Sequence, residues 1–171
     1  MALNDGGHCP ESDDDVVLQL AREKVHTMDY RMFYSELGKL LYAVADADGV
    51  VSTQERDRLY DLIRTRLLHR EVHTDEYGTN DAWYAAFGFE VAEDQIMTPQ
   101  DAFESFMGFL IERKDQIDEE TRQTCLILAD RLAESYRHTN RKEKETIQRL
   151  RELLFSMENL PSAGTQESGK R

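Results

Sequence analysis

A chain of 171 residues with 40% hydrophobic and 32% charged residues suffices for one domain that buries roughly 70% of its unfolded surface. The net charge of −13 argues against nucleic acid and anionic membrane as main partners, because phosphate binding needs clustered Lys and Arg; it leaves cations and basic protein surfaces open. Three Pro and nine Gly are few breakers, no apolar run approaches the ~18 residues of a membrane span, and the start MALNDGGHCPESDDD lacks the basic and apolar regions of a secretory signal. A cytoplasmic, all-α protein is expected. Cys9 and Cys125, far apart, read as reduced thiols rather than a disulfide framework.

In chain order, residues 1–11 read as a loose tail. Ser12 followed by Asp13, Asp14 and Asp15 places acids at the positive end of a first helix, with Val17, Ala21, Val25 and Met28 as its stripe. The next helix, over 29–46, carries Tyr30, Phe33, Tyr34, Leu37, Leu41, Val44 and Ala45 at spacings of three and four. Gly49 ends it, since glycine takes a left-handed backbone without a Cβ penalty. Ser52-Thr53-Gln54-Glu55 is a capping box opening a helix over 53–69, with Leu59, Leu62, Ile63 and Leu67 inward.

The polar stretch 71–81 reads as a loop, and 82–94 as a short helix carrying Trp83, Tyr84, Phe87 and Phe89. These rings are expected as a core plug, with a ligand groove the other possibility. Thr98-Pro99-Gln100-Asp101 starts a helix over 99–114. A helix over 119–138 puts Cys125, Leu128, Ala129, Leu132, Ala133 and Tyr136 inward. Asn140 breaks it, and the last helix, over 142–157, carries Ile147, Leu150, Leu153, Leu154 and Met157. Residues 161–171 have the composition of a disordered tail. The domain is expected over 12–160, with 82–114 bridging two hairpins.

A shift of 91 residues lays one hairpin on the other: Leu37 on Leu128, Leu41 on Leu132, Leu59 on Leu150, Leu62 on Leu153, Ile63 on Leu154 and Gly49 on Asn140. Duplication is the reading favoured by the shared turn residue.

Between the helices of the first hairpin, Asp46 and Asp48 sit at a helix C-terminus, where the dipole is negative and each acid costs roughly 0.3–1 kcal/mol without a positive neighbour. That neighbour could be a cation, Arg56 or Arg58, or the next helix N-terminus. Asp46, Asp48, Gly49 and Glu55 fall on the third, fifth, sixth and twelfth positions of a calcium loop. The first position, however, is Val44, which offers no side-chain oxygen. Capping and local ion pairing are therefore the expected role of these acids, with a weak divalent-cation site at Asp46, Asp48 and Glu55 as the alternative. Arg137 and Thr139 replace the two aspartates in the second hairpin, so any such site would occur once.

The stretch Ala45-Asp46-Ala47-Asp48-Gly49-Val50 and the Glu55 after it, between two amphipathic helices, resembles the TerB-like (tellurite resistance) family over residues 29–157. The resemblance implies a compact bundle of six to seven helices. It implies a bacterial stress-response or tellurite-resistance module that acts by binding, without catalysis, and in some members beside a co-chaperone domain.

Other chemistry is thin. His69 and His73 would share a helix face at zinc-ligand spacing, but solvated histidines at a helix end are the expected reading. Cys125 lies on a buried stripe with no His or Asn nearby. The sequence has no Gly-rich phosphate loop, no Ser-His-Asp order and no CxxC. A non-enzyme is expected, its acids at 13–15, 46–48 and 115–120 meeting a protein partner with a basic surface.

Overall fold

The computed structural model describes residues 28–134 and 141–158, which form six α-helices and no strand. These are α1 (Tyr30–Ala45), α2 (Thr53–Leu62), α3 (Tyr84–Asp94), α4 (Pro99–Glu112), α5 (Glu119–Ala133) and α6 (Arg141–Glu158). The expected helix over 12–28 falls, except for Met28, outside the described residues, as do both tails, Cys9 and the turn at Asn140.

Each start follows the chemistry of its cap. The Asp29 carboxylate accepts the Met32 N–H at 3.1 Å, and Thr98 and Asp118 accept those of Asp101 at 3.1 Å and Thr121 at 2.7 Å, so orphan donors of the first turn are satisfied. Asn80 caps a 3₁₀ turn, Asp81–Trp83, that leads into α3. Two ends differ from expectation. Past Leu62 the helix widens into a π turn, Ile63–Leu67, and stops before His69. Past Glu112 a 3₁₀ turn, Lys114–Gln116, replaces the last residues expected of α4 and tucks Ile117 into the core.

α1 is the axis of the bundle. From Leu40 to Ala45 every residue is buried, which a helix tolerates only when neighbours cover it on all sides. Here α3, α4 and α5 pack along α1, and α6 touches it. The α1–α3 crossing is backbone on backbone: a Cβ at Gly38 would overlap the carbonyl oxygen of Ala85, and one at Gly88 would overlap that of Ser35. The packing partner of α2 is α5, and α5 also carries α6. The segment 82–114 bridges through α4: Phe109 meets Phe33 of α1 with ring centroids 6.3 Å apart, and Phe103 lies under Arg149 of α6 at 4.7 Å. Among the described residues no helix is long and apolar enough to cross a membrane.

Candidate functional site

The turn after α1 uses its acids locally. Asp46 caps α1 and opens a 3₁₀ turn, Asp46–Asp48, which ends on Gly49 at φ 94°. The Tyr42 hydroxyl lies 3.0 Å from the Asp46 carboxylate and 3.0 Å from the Met97 carbonyl, one proton between two acceptors. Burial, then the bond to Asp46, pushes that phenol up to about 12. Asp48 accepts the Val50 N–H at 3.2 Å. Glu55, 6% exposed, completes the capping box: its Oε2 is 2.7 Å from both the N and the Oγ of Ser52, and its own N–H donates to Ser52 Oγ at 3.2 Å. Arg56 and Arg58 pair elsewhere, with Glu93 and Asp61. Among the described residues no three His, Cys, Asp or Glu side chains gather as a metal site would require.

A different set converges 37 residues apart in sequence. A cleft of about 290 Å³ opens between the start of α1, the segment after the π turn and the start of α5. Tyr30, Phe33 and Tyr34 of α1 supply its aromatic wall, Glu71 and His73 line it from the segment after the π turn, and Asp118, Glu120, Thr121 and Thr124 line it from the start of α5. Glu71 is 7% exposed. Its Oε2 accepts from the Tyr34 hydroxyl at 2.8 Å, and its Oε1 accepts from the His73 backbone N–H at 2.7 Å and lies 2.6 Å from His73 Nδ1. The His73 ring stacks on Tyr30, centroids 4.4 Å apart and 15° from parallel, so both its plane and one of its nitrogens are fixed.

Burial alone would raise the Glu71 carboxyl, but the His73 N–H, the Tyr34 hydroxyl and the imidazole together hold it below the ordinary 4.5. Burial and then the bond to that carboxylate push the Tyr34 phenol far up. The segment beneath is tied down by Asn80 Nδ2, which donates to the Glu71 carbonyl at 2.9 Å, and by the Asp81 N–H, which donates to the His73 carbonyl at 3.1 Å. Asp81 itself is buried, its Oδ1 without a hydrogen-bond partner among the described residues; burial raises its carboxyl against the pull of Arg31.

The remaining candidates separate. His69 stands exposed in the turn after the π helix, beside Thr65, Arg66 and Arg70 in another groove, so it shares no helix face with His73. Of the aromatic segment, Phe89 is in the core, Trp83 and Tyr84 are partly buried, and Phe87 is 54% exposed. Cys125 is fully buried and its thiol is pushed up to about 12 by burial, the state of an inert sulfur.

Comparison of the chain with protein-family models, with curated proteins and with solved structures gives no match. Tyr30, Tyr34 and Glu71 are cleft residues that sequence reasoning did not single out as candidates. Two looked like core aromatics and the third like a loop acid, and no local spacing joins residue 34 to residue 71.

Proposed function

We propose that the chain is a non-catalytic binding module for a protein partner with a basic surface, with the contact centred on the Tyr30–Glu71–Asp118 cleft. The observation that carries this reading is the make-up of the cleft, which is lined by an aromatic wall and by three carboxylates, Glu71, Asp118 and Glu120, with a single arginine, Arg70. On a chain of net charge −13, such a field speeds encounter with a basic surface and makes association fall with salt. The absence of catalysis is supported by how the polar groups are used. Glu71, Tyr34 and His73 satisfy one another, and the Thr124 hydroxyl donates to the Glu120 carbonyl at 2.8 Å within α5.

The likeness of the Asp46–Glu55 turn to TerB-like proteins supports a place among cytoplasmic bacterial stress-response modules. Duplication of the hairpins is part of the same proposal. It is supported by burial at four of five matching apolar positions: Leu37 and Leu128, Leu41 and Leu132, Leu59 and Leu150, Ile63 and Leu154 are all buried, while Leu62 is buried and its counterpart Leu153 only partly so. The cation alternative at Asp46, Asp48 and Glu55 is not carried forward, because Ser52 holds the Glu55 carboxylate from two atoms.

The test is retention of partners from a bacterial extract on immobilised protein, wild type against Glu120→Lys, at low salt and at about 1 M, where the Debye length is about 3 Å. A protein held by wild type at low salt should be released at high salt and by the exposed charge reversal. Equal retention under all four conditions would place the contact elsewhere, with the exposed Phe87 and Val91 of α3 the next surface to examine.

A further inference from the structure

The cleft already shows how it would hold a flat cation. The His73 imidazole lies parallel to the Tyr30 ring, one nitrogen on the Glu71 carboxylate. That is a nitrogen donor resting on an aromatic face with a carboxylate at its edge, the arrangement in which guanidinium and ammonium groups are recognised. Beside this imidazole the cleft is lined by the aromatic wall and by the first turn of α5. At about 290 Å³ it sits at the lower bound of small-molecule pockets and suits one long side chain better than a cofactor.

Resting on the binding reading above, we propose that the cleft is a socket for one arginine or lysine side chain of the partner. The aliphatic stem would lie along Phe33 and Tyr34 and the charged head would reach Asp118 and Glu120. Arg70 competes for one of these carboxylates: it pairs with Glu120, yet both side chains are more than half exposed, at 56% and 70%. Exposed pairs of this kind contribute little, so an incoming guanidinium can displace Arg70 at small cost. The Glu71 carboxylate, by contrast, is saturated by Tyr34 and His73 and serves as fixed charge beneath the socket.

The experiment uses three blocked pentapeptides, Gly-Gly-X-Gly-Gly with X arginine, lysine or norleucine, titrated into the full chain and followed by amide chemical shifts. The arginine and lysine peptides should bind with dissociation constants of about 1 mM, the scale of a single anchored group, and norleucine at least tenfold more weakly. Shifts should cluster at residues 30–34, 70–73 and 118–124. Glu120→Gln and Tyr30→Leu should each weaken the arginine peptide several-fold while the rest of the spectrum stays folded. Norleucine binding as well as arginine, shifts outside the cleft, or no shift with any peptide well above a millimolar would overturn the proposal. An extract partner released by Glu120→Lys alongside silent peptides would leave the binding reading standing and remove only the cationic socket. Peptide binding with no extract partner would do the reverse.

Discussion

Two places in this molecule gather carboxylates, and they do so by opposite means. In the turn from Asp46 to Glu55 each acid bonds to something two to four residues away: Tyr42 for Asp46, Val50 for Asp48, Ser52 for Glu55. In the cleft, Glu71 is held by Tyr34 from 37 residues upstream as well as by His73 beside it, and it shares the cleft with Asp118, the cap of α5, and Glu120 from a third element. Local acids of the first kind shape the chain and leave little capacity for a ligand. Acids of the second kind exist as a group only because the fold brings them together, and they enclose space. The contrast teaches that density of acids along a sequence is a poor guide to a site, and that convergence from separate elements is a better one.

The largest expected difference between the two regions is in stability. Glu71→Ala leaves the Tyr34 hydroxyl and the His73 N–H without their acceptor in a buried setting, a loss of about 3 kcal/mol at neutral pH. Glu55→Ala removes one half of a capping box and costs about 1 kcal/mol. Urea denaturation of both variants checks the order. A Glu55→Ala cost equal to or above that of Glu71→Ala breaks the comparison, because the turn would then be the more cooperative structure.

A smaller effect isolates one bond. Tyr34→Phe keeps the ring between Tyr30 and Phe33 and deletes only the donor to Glu71, so a loss of about 1.5–2 kcal/mol is expected, the lower part of the range for a hydrogen bond to a charged group. Ser52→Ala, the matching deletion in the turn, should cost about 1 kcal/mol and stay confined to the first turn of α2. Hydrogen exchange separates the two. The Tyr34 change should speed exchange at 71–73 and in α1 alike, whereas the Ser52 change should speed it at 53–56 alone.

The same divide explains what the sequence made legible. The helices read well where caps and stripes are local. Thr98-Pro99 and Ser52–Glu55 begin their helices as expected, and the predicted stripe of α5 is buried from Cys125 to Ala133, whereas α1 buries Leu40, Tyr42 and Ala43 beyond its predicted stripe. Endings read less well, since the π turn at Ile63–Leu67 and the 3₁₀ turn after Glu112 answer to packing around Leu67 and Ile117. The Gly38–Gly88 crossing was invisible, because each glycine looks like an ordinary helix residue until the other helix arrives. The capping role of Glu55 could be read from four adjacent letters. The cleft could not be read at all: its aromatic wall presents in sequence as core, and Glu71 and His73 as a polar loop.

The smallest effect is the most diagnostic, because it is the difference between opposed influences on one carboxyl. Burial raises Glu71, while three hydrogen bonds lower it, and the bonds prevail. A carboxyl whose folded value lies below its unfolded value binds its proton more weakly when folded, so folding is favoured wherever the group is ionised. The contribution of Glu71 is therefore fully present above the ordinary value of 4.5 and is lost as pH falls through the lower folded value. Asp75 and Asp118 are also lowered, chiefly by hydrogen bonds, and Asp81 and Asp130 are raised by burial, so the acid limb of the wild type alone sums several groups of both signs. Glu71→Gln removes one of them while keeping an oxygen for the Tyr34 hydroxyl. The stability gap between wild type and Glu71→Gln, read from urea midpoints at stepped pH, should be constant above about pH 5 and shrink below it. A gap that widens on acidification would mean that the folded protein holds the proton more tightly than the unfolded chain. Burial would then outweigh the bonds from Tyr34 and His73.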